Sequence, residues 1–179
     1  MTTTTSMLAE TITRTLQRTR GLADALLDGI EPHQFACFPE IGGTLIETNH
    51  PAFVYGHLSQ YPVMLLDVME IDAPEIAVPE GFEELFKNGA ECVHDPDRTV
   101  YPSKDTITGY FNTAYDIGIT RLAQLDDATL DTPFQGDEWY AEAMKTPGSL
   151  INFLLHDHYM FHLGQISAWR RCMGLGSAM

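Results

Sequence analysis

Four stretches of the chain repeat their apolar residues at helical spacing, and no segment shows the alternation of a half-buried strand. Amphipathic helices must bury their stripes against one another, so the pattern predicts an all-α four-helix bundle. With 179 residues the chain can enclose a full-sized core, and it reads as one domain over residues 1–179.

The first helix is expected from about Ser6, a suitable N-cap, to about Leu27. Its stripe is Leu8, Ile12, Leu16, Leu22, Ala23 and Leu26, and Gly29 and Pro32 end it. A turn-rich interval follows, with Phe35, Phe38 and Gly42-Gly43. The second helix starts near Asn49 with Pro51 in its first turn, and Pro62 predicts a kink just past His57. The third is capped by Ser103; Asp126, Asp127 and Pro133 mark its exit. The fourth is capped by Thr146, runs from Pro147 to about Met173, and stops at Gly174. Arg170 and Arg171 suit the dipole of its last turn. Residues 71–102 hold Pro74, Pro79, Gly81, Gly89, Pro96 and Pro102, with one apolar cluster at Phe82, Leu85 and Phe86. This is too long for a simple bundle turn, so it reads as a crossover connection that walls a site. A second, polar excursion passes Phe134, Trp139 and Tyr140.

Charge narrows the functional classes. Twenty-five acidic residues against ten basic ones give a net charge of -15. Phosphate backbones and anionic bilayers are drawn to Lys and Arg, so neither nucleic acid nor membrane is an expected partner. No stretch is long and apolar enough to span a bilayer. Cys37, Cys92 and Cys172 form no CxxC pair, and the start of the chain lacks the pattern of a secretory signal. The expected location is cytoplasmic.

The chemistry concentrates in His158-Tyr-Met-Phe-His162-Leu-Gly-Gln165. Two histidines four apart stack on one helix face. At about 100° per residue they share an arc with Ile151, Leu155, Ile166, Trp169 and Met173. A shared metal ion is one reason for two imidazoles in an apolar stripe; two core histidines bonded to carbonyls or carboxylates are the other. A third ligand is expected from His57 in the second helix, where Gly56 permits close approach. Gln165 is a candidate donor behind the ligands. His33, His50, His94 and His156 read as surface residues, and Cys172 as a packed small side chain.

Three segments carry a resemblance: Asn49-His50-Pro51 through Gly56-His57-Leu58; Leu85-Phe86-Lys87-Asn88-Gly89 with Tyr101-Pro102-Ser103; and His158-x-x-x-His162-Leu-Gly-Gln165 followed by Arg170-Arg171 and Gly174. In order and spacing they resemble the DinB/YfiT-like superfamily of metal-binding four-helix bundles. The resemblance implies a helix order other than plain up-down-up-down. It also implies that His57, His158 and His162 form a three-histidine site for a divalent metal, often nickel or zinc. Where that family has an acidic residue after its first fourth-helix histidine, this chain has Tyr159.

Three neutral histidines leave a cation's charge uncompensated, which acidifies a thiol or a water that reaches it. The resemblance favours the first: a thiol-dependent S-transferase acting on a small-molecule substrate with a low-molecular-weight thiol as co-substrate. A metal-dependent hydrolase is the alternative. Tyr55, Tyr101 and Tyr159 are the candidate acid-base helpers. The non-enzymatic class is a bundle that only binds a metal or small ligand, or pairs as a homodimer through an exposed helix face.

Overall fold

The computed structural model describes residues 6–178. It is an all-α fold in which four long helical elements enclose one core, as the periodicity predicts. Helix α1 spans Met7–Leu27, and the Ser6 side chain accepts from the Ala9 amide at its start. Ile12, Leu16, Ala23 and Leu26 face inward, whereas Leu8 of the expected stripe points to solvent. Arg170, only 4% exposed, donates to the Leu26 and Asp28 carbonyls at 2.8 and 2.5 Å. From the last turn of its own helix, as expected, that guanidinium also satisfies the end of α1.

Phe35 and Phe38 lie in the following loop. Gly42 and Gly43, with φ of 61° and 83°, turn a minimal antiparallel ladder of Glu40–Ile41 with Thr44–Leu45. The period-two reading did not register it, because two residues a side carry no periodicity.

Helix α2 spans Pro51–Val68 and continues unbroken through Pro62. Its cap is His50, one residue beyond Asn49. His50 is fully buried: Nδ1 accepts from the Phe53 amide and Nε2 donates to the Val93 carbonyl at 2.9 Å. The surface reading of this histidine is corrected by its cap role, which ties α2 to the crossover segment.

That segment, 71–102, contains a 3₁₀ turn at Pro74–Ile76 and the short helix α3, Phe82–Phe86. The Asp95 carboxylate accepts from the amides of Thr99, Val100 and Tyr101, closing the loop before the next helix. Helix α4 spans Lys104–Leu122 behind the Ser103 cap and packs most extensively on α2. Gly118 permits this approach, since a Cβ there would lie 2.9 Å from Pro62 Cβ. Short helices α5 (Asp127–Asp131) and α6 (Trp139–Met144) fill the second connection.

The expected fourth helix is one element interrupted by a wide turn. Helix α7 spans Pro147–Asn152 behind its Thr146 cap, residues Phe153–Asp157 form a π turn, and helix α8 spans His158–Cys172. The His158 amide bonds the Phe153 carbonyl five residues back. This surplus residue turns both Leu154 and Leu155 into the core and moves the later buried face toward Tyr159 and Leu163. Gly174, at φ 74°, ends the element where expected. Cys172 is exposed, not packed. Among the described residues no helix is long and apolar enough to cross a membrane.

One contact joins α2 to the crossover segment most tightly. A Cβ on Gly56 would meet three atoms of the Phe86 ring at 2.5 Å, and Phe86 is fully buried. Gly56→Ala should therefore cost about 1–3 kcal/mol in urea denaturation. The added Phe86→Leu change should recover part of that loss in a double-mutant cycle. A neutral Gly56→Ala would refute the close-packing account.

Candidate metal centre

His57 lies mid-way along α2, and His158 and His162 occupy the first two turns of α8. The fold brings all three together. Ring centroids lie 5.3 Å apart for His57 and His158, 4.9 Å for His57 and His162, and 4.5 Å for His158 and His162. One ring nitrogen from each lies within 4.8 Å of the others, so the group can hold a metal ion. Owing to the π turn, His158 is half-buried at the margin of the core, not inside it. His162 and His57 are buried.

Hydrogen bonding sets the tautomers. His57 Nδ1 is 2.7 Å from the Phe86 carbonyl, which can only accept, so Nδ1 carries the hydrogen. His57 Nε2 therefore presents a lone pair, met by the Tyr61 hydroxyl at 2.9 Å. His162 Nδ1 donates to Gln165 Oε1 at 2.8 Å. The Asn49 side-chain amide donates to the same oxygen at 3.0 Å, which fixes its orientation. His162 Nε2 thus also presents a lone pair, 3.0 Å from His158 Nε2. His158 Nδ1 is buried without a hydrogen-bond partner, and packing holds its ring between Tyr61 and Phe153.

This donor set fits a divalent cation. Two imidazole nitrogens on a tetrahedral, zinc-sized ion stand about 3.3 Å apart, close to the His158–His162 spacing. His57 and His162 both commit their N–H groups outward, as ligating histidines usually do. Burial lowers the pKa of all three: that of His57 falls, and those of His158 and His162 fall to about 4, with repulsion among the rings adding to desolvation. Near neutrality the rings are uncharged and their lone pairs available. Among the described residues no fourth His, Cys, Asp or Glu joins the group. A closed structural site would need one.

A cavity of about 450 Å³ opens beside His57. Tyr61, Val63, Met64 and Val68 form its apolar wall, with Asp67, Glu83 and Lys87 at its edge. None of the three cysteines lines it.

The expected helpers stand elsewhere. Tyr55 is buried and donates to the Ala23 carbonyl. Tyr159 is buried against Phe111 and Tyr115, and burial raises its pKa. Tyr101 accepts from the Val93 amide inside the crossover segment. The tyrosine at the site is Tyr61, held protonated by burial that pushes its pKa to about 12. Its i, i+4 relation to His57 was the sequence signal that could have found it. Gln165 does stand behind a ligand, but as an acceptor. Of the histidines read as surface residues, His33 is exposed and His156 is half-exposed beside Asp157; His94 is half-buried and accepts from the Phe38 amide.

Helical bundles with a three-histidine group between two helices are the class this arrangement defines. A family model of the DinB superfamily matches residues 7–166, which include all three histidines. The chain belongs to that superfamily. No curated protein matches the sequence significantly.

The buried histidines make the metal-free protein sensitive to acid. His50 has its pKa lowered to about 4, chiefly by burial, as do His158 and His162. The unfolded chain takes up protons near pH 6.5 while the folded chain keeps these rings neutral. Stability is therefore full above about pH 6.5 and is lost as pH falls toward 4. Replacing His50 by Asn, which keeps a capping side chain, should flatten the slope by up to about 1.4 kcal/mol per pH unit within that window. Urea midpoints of the two proteins from pH 7 to 4.5 test this; parallel curves would contradict it.

Proposed function

We propose that the protein is a divalent-metal-dependent enzyme in which His57, His158 and His162 hold the cation. Its reaction is transfer of a low-molecular-weight thiol to an electrophilic small molecule. The observation that carries this reading is three neutral nitrogen donors, with no anionic side chain among them, beside a cavity wide enough for small reactants. A nickel- or zinc-type cation there keeps its full charge and lowers the pKa of a thiol, which already starts near 8.5.

The chain's own residues have distinct tasks. The Phe86 carbonyl and Gln165 Oε1 orient two rings from behind. The apolar wall of Val63, Met64 and Val68 holds the carbon skeleton of the electrophile and excludes water. With no cysteine lining the cavity, the sulfur comes from solution. Its lone pair forms the new bond to carbon, the leaving group departs with its bonding pair, and the thiol proton passes to solvent.

Metal analysis of purified protein should give about one ion per chain. His57→Ala, His158→Ala and His162→Ala should each cut occupancy at least about tenfold, and Gln165→Leu should weaken affinity about 10–100-fold. Undiminished metal in all three alanine variants would remove the site. For the chemistry, a panel of small thiols is mixed with an activated aryl halide and thiol loss is followed. Loss should require both the protein and its metal, and should stop with a chelator. Metal-dependent ester cleavage that ignores thiol would replace transfer by hydrolysis.

A further inference from the structure

Among the described residues Tyr61 alone both lines the cavity and hydrogen-bonds a ring nitrogen of the three-histidine group. It stands one turn beyond His57 on α2. The rings of His57 and His158 meet its ring edge-on, with centroids 5.1 and 4.8 Å away. Its hydroxyl donates to the His57 Nε2 lone pair at 2.9 Å, because His57 has spent its only N–H on the Phe86 carbonyl.

A cation would take that same lone pair at about 2 Å. One lone pair cannot serve both, so cation binding releases the Tyr61 O–H. The hydroxyl then needs a new acceptor, and the half-buried ring lines the cavity. Among the described residues no other polar side chain lining it is bonded to the three rings. The Gln60 side-chain amide gives one N–H to the Phe82 carbonyl, and Asp67 and Glu83 are acidic. Lys87 is paired with Glu84 at 2.6 Å, and Asn88 lies at the exposed edge.

We propose that Tyr61 is the hydrogen-bond donor to the sulfur of the thiol co-substrate, released for that task when the cation displaces it from His57. The inference rests on the thiol-transfer reading above. In it the same hydroxyl has two acceptors in succession: a ring nitrogen in the metal-free protein and the deprotonated sulfur in the loaded one. The bond to an anionic acceptor is the stronger of the two.

Cobalt(II) serves as the probe metal and 2-mercaptoethanol as the probe thiol. Thiol binding is read from the sulfur-to-cobalt charge-transfer absorption, without turnover. Tyr61→Phe should keep the cobalt stoichiometry and melting midpoint of the unmodified protein. Its dissociation constant for the thiol should rise about tenfold, and the pH midpoint for thiol binding should move upward. Tyr61→Gln, which restores a side-chain donor, should regain part of the affinity and provides a second comparison if the Phe variant folds poorly. Equal thiol affinity in the unmodified protein and both variants would overturn the role of Tyr61 while leaving thiol transfer standing. Absence of the charge-transfer band in the unmodified protein would overturn both.

Discussion

The site depends on two outward hydrogen bonds. His57 and His162 each give their only N–H to an acceptor that cannot donate back, the Phe86 carbonyl and the oxygen of Gln165. Each acceptor is itself fixed: Phe86 by complete burial against Gly56, and Gln165 by the Asn49 amide. Two lone pairs are thereby forced toward each other across the gap between α2 and α8. Without a cation, each lone pair is met by one hydrogen and His158 Nδ1 is left buried without a partner. His158 can supply one N–H to His162 and Tyr61 one O–H to His57, and no other hydrogen is on offer from the three rings. A preorganised group of this kind costs stability when empty and gains it when filled.

Much of this was legible before the fold was seen. The helical stripes identified the bundle, the caps Ser6, Ser103 and Thr146 marked three helix starts to the residue, and the pair His158 and His162 with His57 named the group that comes together. The connections were harder. His50 looked like a surface residue because its two partners are backbone groups, the Phe53 amide nearby and the Val93 carbonyl 43 positions away, and backbone partners leave no side-chain signature. The second task of Arg170 leaves no signature for the same reason, since its acceptors are carbonyls at the far end of the chain.

The tyrosines show a different failure. Tyr55 and Tyr159 lie within two residues of a candidate ligand, and Tyr101 ends the crossover segment. On a helix, adjacency in sequence places side chains about 100° apart, so a neighbour of a ligand faces away from it. Tyr159 follows His158 directly and is buried among Phe111 and Tyr115 instead. Tyr61, four residues from His57, shares its face. The wide turn at Phe153–Asp157 was invisible for a simpler reason: it perturbs the phase of the apolar pattern by a fraction of a turn, within the breadth of an ordinary stripe.

Because that turn stores a surplus residue, the helix carries two independent registers. Upstream, α7 packs against α1 and α5; downstream, the histidines share one phase with Leu163, Ile166, Trp169 and Arg170, which are buried in the bundle. Losing one residue from 153–157 would let the backbone relax to ordinary α geometry and swing every later side chain by about 100° without disturbing the upstream anchor. Length variation at this one point is thus a dial. Turning it moves the ligand pair and the core contacts of α8 together, so the three rings and the packing that holds α8 stand or fall with the same surplus residue.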